Sequence, residues 1–182
     1  MSRLAAVVLL LRGINLGPNR RVPMAALREE LTQAGFADVR TYVQSGNVVA
    51  RSDLTPADAQ AAARRAIKRR FGLDVPVLAR TRDELAAVVH RNPLADVATE
   101  PKRHQVSFLS EPVSPQAAQR LQAAVLEPEA LAIDGREIHA WHPDGIARSK
   151  LAIELARAAP DATARNWRTV TTLLAICDEA QT

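Results

Sequence analysis

A lone cysteine, Cys177, stands in a chain of 182 residues, so no internal disulfide can staple it and nothing points to secretion. Aromatic side chains are only 3% of the sequence while hydrophobic residues are 47%, so the core must be built from Val, Leu, Ile and Ala. The apolar run near the start, Leu4 to Leu11, falls far short of the roughly twenty residues a membrane-spanning helix needs. No small-residue cleavage site follows it, because Arg12-Gly13-Ile14-Asn15 comes next. These absences predict a cytoplasmic protein with no membrane segment. Long basic or acidic tails are missing too: 24 basic and 20 acidic residues are mixed along the chain. The resulting net charge of +4 and pI near 10 permit an anionic partner without requiring one.

Sites for chemistry are equally sparse. His139 and His142 lie three apart on a predicted strand and face opposite sides, with no acidic or Cys cluster beside them. No metal and no cofactor is expected. Ser45 has no His or acid placed beside it, so a nucleophilic triad has no support. Neither His90 nor His104 has an evident partner. Cys177 falls on an apolar stripe with Trp167, Val170 and Leu174, which predicts a core residue.

What is present reads as alternating elements. Ala5 to Leu11 is a continuous aliphatic run, as in a central strand buried on both faces. Pro23 opens a helix with Met24, Leu27 and Leu31 at helical spacing, and Gly35 stops it. Val39 to Val43 alternates as a strand, Ser45-Gly46 turns, and Asn47 to Arg51 returns. Thr55-Pro56 with Asp58 starts a second helix that runs to Phe71-Gly72, and Val75 to Ala79 is a further strand. Strand, helix, strand, strand, helix, strand is the split βαβ order of ferredoxin-like domains. A helix from Arg82 to His90 and a polar stretch from Asn92 to Arg103 follow. The order then partly repeats: strand Gln105 to Leu109, helix from Ser114-Pro115 to Val125, and a hairpin turning at Asp134-Gly135. Two helices finish the chain, opened at Ser149 and near Asn166. The expectation is an α+β fold with a ferredoxin-like lobe over residues 1–92. A smaller α+β lobe over 93–182, with two C-terminal helices, packs closely with it, and the order permits a duplication.

That topology places the candidate site. The carboxyl end of the first strand and the hairpin between the second and third belong at the same end of the sheet. Arg12 and Asn15 should therefore lie beside Gln44, Ser45 and Asn47. The amino end of the helix at Pro23, with Arg20 and Arg21, points there as well. So does the carboxyl end of the second helix, which carries Arg64, Arg65, Lys68, Arg69 and Arg70. The glycines and asparagines of these turns also have an ordinary reading as turn formers. Arg12 closes an apolar strand and needs a partner, either an internal carboxylate or a ligand. In the second half, Ser149 reads as a helix N-cap with Lys150 solvated, and alternatively as an anion site at that helix start. Asn166 reads as a cap and Trp167 as a core anchor, while Arg165 and Arg168 either pair with carboxylates or line a cleft.

The motifs resemble a known family. LLRGIN at Leu10 to Asn15, Val22-Pro23-Met24, and the Tyr-x-Gln-Ser-Gly-Asn hairpin at Tyr42 to Asn47 are similar to the N-terminal signature of family 1697 of the domains of unknown function. Gly145 to Leu151, then Thr163 with Arg165 to Thr169, resemble its C-terminal signature. The resemblance implies an α+β fold with a ferredoxin-like portion and no established reaction. One departure is visible: Gly17-Pro18-Asn19-Arg20 stands where paired glycines are usual, and Pro18 removes an N–H from any phosphate cradle.

Three functions fit these residues. The first is a binding protein or regulator for an anionic ligand, a nucleic acid or phosphorylated metabolite. The second is a small enzyme acting on an anionic substrate at the same place, with Arg12 as electrostatic stabiliser. The third is a structural or protein-interaction role. The strands of the first lobe offer only Tyr42 for base stacking, which disfavours sequence-specific RNA binding. The sequence sets no oligomeric state.

Overall fold

A computed structural model describes residues 4–180 as a mixed α+β protein. Its first seven strands and α-helices are β1 (Ala5–Leu11), α1 (Met24–Gln33), β2 (Ala37–Tyr42), β3 (Asn47–Ser52), α2 (Pro56–Phe71), β4 (Val77–Thr81) and α3 (Arg82–Arg91), with a short 3-10 turn at Pro18–Arg20 before α1. Then come β5 (His104–Phe108), α4 (Pro115–Ala124), β6 (Ala130–Asp134), β7 (Glu137–Trp141), α5 (Lys150–Ala158), β8 (Thr163–Asn166) and α6 (Trp167–Glu179). Among the described residues the strands form two four-stranded antiparallel sheets, ordered β2-β3-β1-β4 and β6-β7-β5-β8. The chain divides into two compact units, one running to Ala87 and resuming at Thr172, the other spanning Val88–Thr171. Helix α3 thus carries the chain out of the first unit and α6 carries it back.

In the first unit, the aliphatic run of β1 takes the centre of its sheet, where both neighbours cover its backbone and every residue from Ala6 on is buried. Val7, Leu9 and Leu11 share one core with Leu27 and Leu31 of α1 and with Ala63 and Ile67 of α2. Local chemistry sets the helix ends. The Thr55 hydroxyl accepts from the Asp58 N–H at 3.2 Å, Pro56 takes the first helical position, and Gly72 closes α2 in the left-handed region at φ 67. Ser114 and Ser149 cap α4 and α5 in the same way. Helix α1 is different: its N-cap is Pro23, which offers no side-chain acceptor. In the second unit, Leu121 of α4 and Leu151 of α5 pack with Ile138 and Ala140 of β7.

Three details differ from the sequence reading. Strand β4 begins at Val77 rather than Val75, because Pro76 has no N–H for the ladder and its carbonyl takes the Arg12 N–H at 3.0 Å. A fourth strand, β8, precedes α6 and pairs with β5 from Gln105 to Phe108; only a helix start was expected there. The buried stripe of α6 runs through Val170, Leu173 and Cys177, with Leu173 in place of Leu174. Among the described residues no helix is long and apolar enough to cross a membrane.

Candidate functional site

The end of the first sheet where β1 finishes is built by the two polar signatures. Leu10 lies opposite Asn47, the Leu11 N–H donates to the Gly46 carbonyl at 2.8 Å, and Arg12 donates to Pro76. Gly46 has φ 81 and lies so close to β1 that a Cβ there would fall 2.6 Å from the Leu11 Cβ and 3.0 Å from the Ile14 Cδ1. The RGIN loop and the QSGN hairpin therefore fit one against the other through a missing side chain.

Asn15 is the clamp of this arrangement. It sits at φ 55, a conformation Asn tolerates better than most residues. Its Nδ2 donates to the Val22 carbonyl at 3.1 Å and to the Gln44 carbonyl at 2.7 Å, and its Oδ1 accepts from the Val22 N–H at 2.8 Å. One amide thereby closes the loop of residues 15–22 and pins the hairpin to it. Asn47 is fully buried and its Nδ2 bonds the Tyr42 carbonyl at 3.1 Å and the Ser45 Oγ at 2.9 Å, which fixes the hairpin from inside. Replacing Asn15 by Ala removes three hydrogen bonds, two of them partly buried, so Asn15→Ala is expected to lose about 2 kcal/mol in urea unfolding. An unchanged midpoint would remove the clamp assignment.

Around this clamp lie the outward-facing groups. Arg20 is exposed; its Nε donates to the Gly13 carbonyl at 2.7 Å and its Nη2 reaches the Asp74 carbonyl at 3.4 Å. Gln44 and Ser45 are exposed at the hairpin tip, and Arg12 is half-buried at the end of β1. A cavity of about 580 Å³ opens here, lined by Asn15, Gly17, Pro18, Arg21, Pro23 and Gln44. The uncapped amino end of α1 stands beside it, with no acidic residue in its first turn. The basic face of α2 is partly neutralised: Arg64 grips Asp74 with two bonds of 2.6 and 2.8 Å, Arg69 pairs with Glu30, and Arg70 lies over the Phe71 ring. The Arg64 hydrogen bonds hold the Asp74 carboxyl below its ordinary value.

The remaining predicted residues belong to the second unit. The register puts the end of β7 and the end of β8 at the same end of the second sheet, so the segments leading to Ser149 and to Asn166 arrive there together. The Ser149 hydroxyl accepts from the Ala152 N–H at 2.9 Å and lies 3.1 Å from His142 Nδ1, while Glu129 Oε1 lies 3.0 Å from the same nitrogen. A relay would need Ser and the acid on opposite ring nitrogens, and here both converge on Nδ1. His142 Nε2 is buried without a partner, which keeps the proton on Nδ1 facing Glu129. Burial works to raise the Glu129 carboxyl, but hydrogen bonds from Ser149 and His142 outweigh it and hold it low. Lys150 and Arg148 line a cavity of about 620 Å³ together with Glu127, Glu129 and Asp144, so its charge is mixed. Asn166 caps α6 by accepting from the Thr169 N–H at 2.9 Å. Arg165 donates to the Ala164 carbonyl at 2.8 Å, and burial lowers its pKa to about 10; Arg168 is exposed.

A buried cluster that spacing did not suggest lies on β5 and β7. His104, expected to have no partner, places Nε2 3.1 Å from His139 Nδ1 and stacks on Trp167 with ring centres 4.8 Å apart. His104 Nδ1 has no partner, so the pair is satisfied best when His104 Nε2 donates and Nδ1 is left as a bare acceptor. Burial lowers both imidazoles to about 4. Cys177 is buried and its thiol is pushed up to about 12, which leaves it un-ionised and inert as a nucleophile.

Together these features define a two-unit α+β protein whose motifs cluster at sheet ends. Residues 4–139 match the family described as protein of unknown function DUF1697, and the chain belongs to that family. The C-terminal signature lies outside the matched residues. The fold is similar to that of a conserved bacterial protein, SP0830, from Streptococcus pneumoniae, with a TM-score of 0.78 and 22% sequence identity. The likeness covers 97% of this chain and 99% of that one. No curated protein matches the sequence.

Proposed function

We propose that this is a binding protein or regulator for an anionic ligand, a nucleic acid or phosphorylated metabolite, held at the end of the first sheet. The observation that carries the reading is the uncapped amino end of α1, free of acidic residues, opening beside a cavity lined by Arg21, Asn15 and Gln44. Arg12 and Arg20 add positive charge at the same end. In the finer description, each unit is a split βαβ, ferredoxin-like lobe. The identical order of the two sheets, second-third-first-fourth strand, supports an internal duplication. The lone buried cysteine fits a reducing cytoplasm.

A thermal-shift series with nucleotides and phosphorylated metabolites tests this. A ligand at about a hundred times its Kd stabilises by about 2.7 kcal/mol, which raises Tm by about 5 °C or more in a chain of this size. Arg21→Ala with Gln44→Ala is expected to abolish the shift and leave the ligand-free Tm within a degree or so, since both are exposed. No shift with any phosphorylated compound at low salt overturns the proposal.

A second reading has its own observation. Asn15, Gly46 and Asn47 are occupied within the fold, so the signatures also serve to lock the loop to the hairpin. If no ligand shifts Tm and Arg12→Ala merely unfolds the protein, that structural role stands alone.

A further inference from the structure

The cationic surface of the first unit extends beyond the signature residues. Ala57, Gln60, Ala61, Arg64, Arg65 and Lys68 fall on one face of α2, and with Asp74 and Val77 they line a groove of about 480 Å³. The two alanines keep the floor of this groove shallow, and the long basic side chains form its rim. Arg65 and Lys68 are exposed, and the Lys68 charge helps hold the Asp74 carboxyl low. Gln60 Oε1 accepts the Ala79 N–H at 2.8 Å, and Glu84 Oε2 accepts that of Thr81 at 2.8 Å. The outer edge of β4 is thereby closed to a peptide that would add as a further strand.

The groove joins the signature loop through Arg20. That guanidinium bonds Gly13 on one side and the carbonyl of Asp74 on the other, while the Asp74 carboxylate grips Arg64. A continuous strip results, from Arg21 beside α1 through Arg20 to Arg64, Arg65 and Lys68 on α2. Asp74 is the one carboxylate among the residues lining its two cavities. The strip is too extended for one phosphate, and no aromatic side chain lines either cavity to stack a base.

We propose that this strip holds the sugar–phosphate backbone of a nucleic acid by charge, without reading its bases. The inference rests on the anionic-ligand reading of the sheet end and extends it from a single phosphate group to a phosphodiester chain. Phosphate contacts alone give binding that is insensitive to sequence and steeply dependent on salt. An acidic protein offers the same sign of charge, but the closed edge of β4 removes the main-chain pairing through which an extended peptide would gain most.

The test is fluorescence anisotropy of the full chain with a labelled single strand of about 20 nucleotides, the matching duplex, and poly-glutamate of equal charge. The expected result is binding of the single strand or the duplex, with affinity independent of base order and falling as salt rises. Arg65→Glu with Lys68→Glu should weaken it at least about tenfold at about 50 mM salt and reduce the single-strand slope of log K against log salt by about 1.4. Both side chains are exposed, so the melting temperature should fall by no more than a few degrees. No oligonucleotide binding at low salt overturns the proposal, as does an unchanged slope in the double variant. Equal affinity for poly-glutamate overturns it in favour of an acidic protein partner. If small phosphates still raise Tm while no oligonucleotide binds, the backbone proposal alone fails. Oligonucleotide binding that depends on Arg65 and Lys68, with no response to small phosphates, supports the strip and removes the α1 site.

Discussion

Between pH 6.5 and about 4 the protein is expected to lose several kcal/mol of stability as the buried His104–His139 pair takes up protons. Burial lowers His104 from 6.5 to about 4, helped by its neighbour His139, and burial does the same to His139. A folded-state pKa below the unfolded value means that the neutral form is the one the fold holds. The stabilisation is therefore complete above pH 6.5 and drains away as pH falls through that window toward 4. At about 1.4 kcal/mol per unit, each imidazole accounts for on the order of 3 kcal/mol, against a typical total of about 5–15 kcal/mol. Structure explains why the cost is high. Protonating His104 creates a buried Nδ1–H with nothing to bond, and the ring is stacked on Trp167 where no water reaches it. Of the charges around His139, Asp134 favours its protonation and Arg91 opposes it, and the two are paired with each other at 2.8 Å. Carboxylates held low, such as Asp74 and Glu129, lose their contribution only as pH falls through the carboxylate range, so the two effects separate along the pH axis. Urea unfolding followed by tryptophan fluorescence at about pH 7, 6, 5 and 4 measures the loss. His104→Gln with His139→Gln should flatten the profile above the carboxylate range. If the double variant keeps the same dependence, another group is responsible.

The legible part of the fold is the part decided by neighbours in sequence. Thr55, Ser114 and Ser149 announce helix starts because a cap needs only a hydroxyl and an N–H three residues on. The meeting of the end of β1 with the QSGN hairpin was also readable, since strand order alone dictates that the end of β1 and the start of β3 coincide. What could not be read depends on pairings that leave no local trace. The Asn15 clamp reaches across 7 and 29 residues, and His104 finds His139 across 35. Nothing in the spacing of those residues distinguishes a satisfied clamp from a free turn asparagine. Strand β8 was hidden for a different reason: Asn166 ends the strand and caps α6 at once, and the capping signal is the stronger.

The sheet end divides into residues that hold the fold and residues that face outward. Asn47 is fully buried and Asn15 is fully engaged, so substitutions there test the fold. Arg21, Gln44, Arg65 and Lys68 are exposed, and substitutions there test binding with little effect on stability. The two groups share one sheet end because the lock that brings the RGIN loop to the hairpin also sets the amino end of α1 beside them.

Gly46→Ala is expected to be the most damaging small substitution in the first unit, with a loss of about 3–5 kcal/mol in urea unfolding. Two independent terms produce it. At φ 81 any L-residue with a Cβ is strained by about 1–2 kcal/mol. The new methyl would also fall 2.6 Å from the Leu11 Cβ, on a strand in the centre of the sheet that cannot retreat, and 3.0 Å from Ile14. Relief requires the hairpin to lift from β1, which breaks the Leu11 N–H bond to Gly46 and pulls Gln44 away from the Asn15 amide. Gly13→Ala is the control. It has a similar positive φ of 67 but open space around the added methyl, so it should lose only the strain, about 1 kcal/mol. A loss for Gly46→Ala no larger than for Gly13→Ala would show that close approach at the hairpin contributes nothing. A clear excess identifies that approach as the lock joining the two signatures.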